Sequence, residues 1–246
     1  MNAVERLRIK LFADGADMPS ILQLAADPRI KGFTTNPTLM RKAGISDYEA
    51  FGRKLLKTVP DRPVSLEVFA DDFPTMVEQG RVIASWGPNV NVKIRVTNTK
   101  GEFAGSAIAA LSHAGVMVNV TAILTVEQVR RVAESLAPGV PAIVSVFAGR
   151  VADTGVDPIP MMRIALEVLH ARPKAELLWA SPRELLNVFQ ADEIGCHIIT
   201  ATSDVLAKLA LVGRDLAEYS LDTVKMFHRD AQAAGYEIGA TPVART

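Results

Sequence analysis

The chain is nearly without cysteine. Cys196 is the single one in 246 residues, which excludes an intramolecular disulfide framework and any Cys-rich zinc or iron–sulfur site. It is also without net charge, since Lys plus Arg and Asp plus Glu each number 27. That balance leaves no electrostatic footprint for nucleic acid or an anionic membrane, and neither is expected as a partner. No run approaches the ~18 consecutive apolar residues of a membrane-spanning helix. The opening stretch, MNAVERLRIKLFADGAD, scatters charges and has no apolar h-region, so the expected location is the cytoplasm. The turn after the first β-rich run reads Asp14-Gly15-Ala16-Asp17, which is not GxGxxG, and there is no GxxxxGK[ST]. His113, His170, His197 and His228 are scattered, without HExxH, so neither a metal site nor a cofactor is expected.

What is present is an alternation. Short runs rich in Val, Ile, Leu and Phe read as strands at Ile9–Asp14, Gly32–Asn36, Val64–Ala70, Val90–Val96, Met117–Ile123, Ala142–Phe147, Ala175–Ala180 and His197–Ala201. Helical patterns lie between them, at Pro19–Ala26, Tyr48–Val59, Phe73–Trp86, Phe103–Ala114, Thr125–Leu136, Pro160–His170, Pro182–Ile194 and Asp204–Val212. Thr125 with Gln128 is a capping box, and Gly115 and Gly195 stand where helix-ending glycines belong. Eight strands each followed by a helix predict an α/β fold, a single (β/α)8 TIM barrel. The alternative is an open doubly wound sheet, which uses fewer strands and, for dinucleotides, a glycine-rich turn. A further amphipathic helix is predicted over Leu221–Tyr236, with Leu221, Val224 and Phe227 on one stripe. The organisation expected is therefore a barrel over residues 1–220 and a C-terminal helix and tail over 221–246.

Polar residues inside apolar strands are the informative ones, because alternate strand residues of a barrel point inward and active sites sit at the C-terminal strand ends. The first strand ends in Asp14. The second reads Phe33-Thr34-Thr35-Asn36-Pro37, the third carries Glu67, and the fourth carries Lys93 between Val92 and Ile94. The fifth holds Asn119 and Thr121 on one face, the sixth Ser145 and Phe147, and Ser181 closes the seventh. A lone strand lysine is most simply a surface residue, or here a structural partner of Glu67. In a sheet covered on both faces, however, burial disfavours an ammonium, and a neutral amine attacks carbonyls to form a Schiff base. Arg95 shares that face. It either adds to the pressure on the amine or binds a substrate anion. Two carboxylates in different surroundings, Glu67 and Asp14, suit the proton transfers that Schiff-base chemistry needs.

The same blocks, in order, resemble the transaldolase family, in particular the small type that includes the fructose-6-phosphate aldolases. Leu11-Phe12-Ala13-Asp14, Gly32-Phe33-Thr34-Thr35-Asn36-Pro37-Thr38, Ser65-Leu66-Glu67-Val68, Asn91-Val92-Lys93-Ile94, Val118-Asn119-Val120-Thr121, Ser145-Val146-Phe147-Ala148-Gly149-Arg150 and Ala180-Ser181-Pro182-Arg183 carry the resemblance. It implies that Lys93 forms a Schiff base with a ketose C2 carbonyl and that Asp14 takes the C4 hydroxyl proton. Glu67 would shuttle protons through a water held by Thr121. Asn36, Asn119 and Ser145 would bind the hydroxyls of a dihydroxyacetone unit, with Thr34 in support. Arg150, Ser181 and Arg183 would bind a distal phosphate. Glu67 and Phe147 fit the transferases of the family rather than its aldolases, which carry Gln and Tyr there. The partners implied are small sugar phosphates and a second copy of the chain, a homo-oligomer joined through the last helix.

The chain departs from the family pattern at Arg95 (usually Pro), Gly15 (usually Thr), Val146 (usually Pro) and Pro182 (usually Phe). The end of the eighth strand, Ile198-Ile199-Thr200-Ala201-Thr202, lacks the usual proline. These changes cluster around the distal part of the substrate, so an acceptor outside the usual pentose sugars, an unusual sugar phosphate or a sulfonated sugar, is an alternative expectation. An aldolase that releases free dihydroxyacetone, and a non-catalytic sugar-phosphate-binding barrel, are the others.

Overall fold

In the computed structural model, which describes residues 3–239, the chain divides into two units, residues 7–209 and residues 3–6 with 210–239. The first is built on eight parallel strands, β1 (Lys10–Asp14), β2 (Ile30–Thr34), β3 (Val64–Glu67), β4 (Val90–Arg95), β5 (Val118–Ile123), β6 (Ala142–Val146), β7 (Ala175–Trp179) and β8 (Ile198–Ala201). They pair in sequence order and β8 pairs back onto β1, so the sheet is a closed barrel. The barrel predicted from the alternation is the observed fold. Lys10 to Ala13 align with Ile198 to Ala201 at the seam. Closure leaves no open sheet edge.

The outer face is covered by α1 (Met18–Ala25), α2 (Pro37–Lys42), α3 (Tyr48–Thr58), α4 (Phe73–Ala84), α5 (Gly105–His113), α6 (Val126–Ser135), α7 (Ala148–Ala152), α8 (Ile159–Leu169), α9 (Leu186–Glu193) and α10 (Ser203–Ala207). Each larger helix buries an apolar stripe: Leu55 and Leu56 on α3, Met76 and Ile83 on α4, Val129 and Val132 on α6. Side-chain caps set their starts. Asp47 accepts from Ala50 N and Asp72 from Thr75 N, and the Thr125–Gln128 capping box is formed in full. Phe12, Ile143, Leu178, Ala180 and Ile198 form a buried cluster, with Phe147 packed against it. Phe12 needs Gly32 opposite, because a Cβ there would lie 2.5 Å from its ring carbon Cζ.

Differences from the predicted spans have local causes. β3 stops at Glu67, because the N–H groups of Phe69 and Ala70 turn to Gln79 Oε1. β2 stops at Thr34, because Asn36 leaves the strand to cap α2. The helix predicted from Pro182 starts at Leu186, since the N–H groups of Arg183 and Glu184 are taken by Asn187 Oδ1. The short helices α2 and α7 were not predicted; runs of five or six residues are too brief to show a 3.6-residue period. Cys196 is buried, and burial pushes its thiol up to about 12, so it is a packing residue.

In the second unit a 3-10 turn covers Ala3–Arg6, and α11 spans Leu216–Ala233. Asp215 caps α11 by accepting from Ala217 N and Glu218 N, and Arg214 pairs with Asp222. The helix thus begins before the predicted Leu221, and the boundary expected at 220 falls inside it. Leu221, Val224 and Phe227 are exposed. No described helix is long and apolar enough to cross a membrane.

Candidate active site

A cavity of about 380 Å³ opens at the C-terminal ends of the strands. It is lined by Asp14, Thr34, Asn36, Glu67, Lys93, Asn119, Thr121, Ser145, Phe147, Arg150 and Ser181. These eleven of its lining residues were singled out from the sequence; Leu39, Ala122, Leu178 and Thr200, which also line it, were not. Arg183 is not among its lining residues.

Lys93 sits at one register level with Glu67 on β3 and Asn119 on β5. It is buried, 7% exposed, and no exposed strand face is available to it. Its Nζ donates to the carbonyl of Thr35 at 2.9 Å and stands 3.5 Å from Glu67 Oε2. The Glu67 carbonyl, in turn, accepts from Tyr48 Oη at 2.8 Å, which ties α3 to the end of β3. The amine is therefore aimed into the cavity from a fixed stem, with a carboxylate in reach.

Asp14 ends β1 on the other side of the cavity. Burial raises its carboxyl above the ordinary 3.8, against the opposing pull of the Lys93 charge and of hydrogen bonds from Thr34 and Asn36. Thr34 Oγ1 donates to Oδ1 at 2.8 Å and Asn36 Nδ2 to Oδ2 at 3.3 Å. Thr34 has one hydroxyl proton, so its 2.6 Å contact with Thr200 Oγ1 runs with Thr200 as donor. Asn36 is held from its other end, where Oδ1 accepts from Leu39 N as the cap of α2. A carboxylate with a raised affinity for protons and a fixed orientation is a suitable base for a hydroxyl proton.

Asn119 is fixed in the same manner. Its Nδ2 donates to Ser65 Oγ at 2.9 Å, and its Oδ1 accepts from Ser145 Oγ at 2.6 Å. The Ser145 proton is committed to that bond, so its oxygen can act toward the cavity only as an acceptor. Just beyond, β5 carries one extra residue: Val120 faces Val144, but Ile123 faces Val146. The bulge puts Ala122 at φ +64°, a conformation side chains rarely adopt, and Ala122 lines the cavity. The Thr121 hydroxyl next to it is buried without a protein partner.

At the distal end, Arg150 stands at the cavity rim with its guanidinium 5.3 Å from the centre of the Phe147 ring. Ser181 has φ +58°. Its carbonyl lies so close to Gly149 that a Cβ there would come within 1.6 Å of it, which explains the glycine. Arg183 is exposed and forks onto Asp153, with Nε to Oδ1 at 2.8 Å and Nη2 on the other oxygen. The structure does not bring it to the cavity.

Thr200, Ser65 and Tyr48 are among the residues of the site missed from the sequence. Thr200 bears the same signal as the others, a polar residue inside an apolar strand, and could have been found. Ser65 could have been found likewise, two positions before Glu67. Tyr48 gave no signal, since a tyrosine opening an amphipathic helix reads as packing. Among the described residues there is no group of three His, Cys, Asp or Glu side chains placed to hold a metal ion.

Known proteins include relatives of this chain. A protein named probable transaldolase 2 from Listeria monocytogenes is 35% identical over 82% of this chain and 88% of its own length. A protein named probable transaldolase from Dehalococcoides mccartyi is 34% identical over 82% and 90%. Among solved structures, dihydrodipicolinate synthase from Rhodopseudomonas palustris aligns with a TM-score of 0.54 at 16% identity, over 87% of this chain and 79% of that one, a likeness of fold. The sequence model of the Transaldolase/Fructose-6-phosphate aldolase family matches residues 11–238. With that model matched over nearly its full length and relatives of about 35% identity, the chain belongs to the transaldolase/fructose-6-phosphate aldolase family.

Proposed function

We propose that this chain is a transaldolase, moving a dihydroxyacetone unit between a ketose and an aldose, both sugar phosphates, through a Schiff base on Lys93. The observation that carries the reading is one buried amine placed between two carboxylates, Glu67 and Asp14, in a single cavity. The Lys93 amine attacks the ketose C2 carbonyl, and water leaves as the iminium forms. Glu67 accepts and returns the protons of that step, with the unpaired hydroxyl of Thr121 available to hold the water it uses. Asp14 then takes the C4 hydroxyl proton. The C3–C4 bond breaks, its electrons pass to the iminium, and an enamine and an aldehyde result. Asn36, Asn119 and Ser145 hold the hydroxyls of the retained unit. An acceptor aldehyde enters, the enamine attacks its carbonyl, and Asp14 returns the proton. Hydrolysis of the new iminium frees Lys93.

Transfer rather than cleavage rests on Phe147. Its ring reaches the cavity but has no proton to give the enamine, which therefore persists until an aldehyde arrives. The ordinary pair would be sedoheptulose 7-phosphate and glyceraldehyde 3-phosphate, giving erythrose 4-phosphate and fructose 6-phosphate. The apolar stripe Leu221, Val224 and Phe227 on α11 is exposed, and this supports a homo-oligomer, to be checked by sedimentation.

The test is incubation with fructose 6-phosphate and borohydride, followed by peptide mass spectrometry. The expected result is a reduced three-carbon or six-carbon adduct on Lys93. An unmodified Lys93 peptide would overturn the reading. Free dihydroxyacetone accumulating without an acceptor would favour the aldolase instead.

A further inference from the structure

A second hollow, of about 300 Å³, lies at the N-terminal ends of the strands. Phe12 and Ile143 line it. They belong to the same buried cluster as Leu178 and Ala180, which line the cavity of Lys93, so the cluster borders both. Pro63, Met117 and Pro141, each just before a strand, add further apolar wall.

One polar side chain is sealed against this hollow without a partner. Asn91 lines it, second in β4 and two residues before Lys93, hence on the same inward face, and is 1% exposed. Neither its Nδ2 nor its Oδ1 has a hydrogen-bond partner in the protein. Ser65 aligns with it on β3, but the Ser65 hydroxyl accepts from Asn119, whose own amide is satisfied at both ends. A buried amide left open costs stability, so a native one usually meets a partner. The rim, by contrast, is cationic. Lys10, Lys31 and Lys174 are exposed and line the hollow with a single carboxylate, Glu176. Glu176 is taken by Lys10 at 2.7 Å, and Lys31 donates to a neutral carbonyl, that of Pro28, at 2.8 Å. Two ammonium charges of the lining are therefore left unbalanced within it.

We propose that this hollow is a binding site for a small carboxylic acid with an apolar body and a hydroxyl at its far end. The carboxylate is met by Lys31 and Lys174, the body lies against Phe12, Met117 and Ile143, and the hydroxyl pairs with the Asn91 amide, which can both donate and accept. Apolar walls disfavour a sugar, whose several hydroxyls would lose water there with one amide to answer them. The site does not depend on the transfer chemistry of Lys93.

The probe is 4-hydroxybenzoate, titrated into the full-length protein carrying methyl-labelled methionine and followed by NMR. Met117 is the methionine among the lining residues, and Met117→Leu identifies its resonance. That signal is expected to shift saturably, with a Kd of about 1 mM or tighter, the scale for a ligand of this size. Benzoate, which lacks the hydroxyl, should bind about 3- to 10-fold more weakly. So should 4-hydroxybenzyl alcohol, which lacks the charge, by about the same factor. Asn91→Leu should abolish the difference between 4-hydroxybenzoate and benzoate. Lys31→Met combined with Lys174→Met should abolish the difference between 4-hydroxybenzoate and the alcohol. The benzoate comparison needs no variant, so it tests the Asn91 contact even if Asn91→Leu does not fold. A Met117 signal unmoved at about 10 mM probe, or a hydroxyl and a charge that make no difference to affinity, would overturn the proposal and leave the Asn91 amide to water.

Discussion

Lys93 Nζ lies 3.5 Å from Glu67 Oε2 while it donates to the Thr35 carbonyl at 2.9 Å. Both side chains are about nine-tenths buried. Removing the carboxylate charge in Glu67→Gln leaves the amine beside a neutral amide and deletes the proton acceptor. Adduct formation on Lys93 is expected to slow by about 10²- to 10³-fold, the scale of general acid–base catalysis. The fold should lose about 1–3 kcal/mol, less than a fully sealed pair because this one borders a polar cavity. Stopped-time borohydride trapping and urea denaturation read the two effects separately.

Asp14 carries a carboxyl raised by burial above its ordinary 3.8. A raised carboxyl binds its proton more tightly in the folded chain than in the unfolded one. The folded state is therefore penalised as pH rises from the unfolded value through the folded one, and the penalty is complete above it. Asp14→Asn should unfold at a higher temperature than the parent at pH 7, with the difference shrinking as pH falls toward 4. The same variant should still form the Lys93 adduct but cleave C3–C4 at less than about one hundredth of the parent rate. Thermal melts across pH and a single-turnover assay check both outcomes.

Gly149 has no room for a side chain. A Cβ would approach the Ser181 carbonyl oxygen to 1.6 Å, and the obstacle is backbone rather than a movable side chain. Gly149→Ala is expected to cost about 2–4 kcal/mol, at the upper end for overpacking because α7, which carries Arg150, and the segment carrying Ser181 must part. Urea denaturation gives the stability. KM for the phosphorylated acceptor should rise by more than KM for the unphosphorylated one.

Phe147 is half-buried against the interior cluster and lines the cavity without a proton to donate. Phe147→Tyr adds a hydroxyl at that wall. Release of free dihydroxyacetone from fructose 6-phosphate, with no acceptor present, is expected to rise at least about tenfold. An enzymatic assay for dihydroxyacetone measures it, and a rate equal to the parent's would count against Phe147 as the residue that keeps the enamine unprotonated.

The barrel was legible because buried strands and covering helices write different periods into the chain. The eight apolar runs from Lys10 to Ala201 all became strands, and the Thr125 capping box is formed as its residue types require. Interior polar residues stood out for the same reason. Lys93, Glu67, Asn119 and Ser145 interrupt runs that are otherwise apolar, and each proved to line the cavity. Strand ends were less legible, because where β2 and β3 stop depends on partners elsewhere: Asn36 leaving to cap α2, and Gln79 reaching back from α4.

Taken alone, then, the sequence determined the order of elements and the identity of the reactive side chains, since both follow from local pattern and residue chemistry. Which side chains meet was decided by tertiary structure. Thr34 and Thr200 lie 166 positions apart and touch only because β8 closes onto β1 and β1 onto β2. Arg183 stands in the expected block yet turns to Asp153, while Arg95 rests on the carbonyls of Ala70 and Phe69 beside Asp71. The physical reason is that these partners come from distant parts of the chain, and barrel closure and strand register set which of them come within reach.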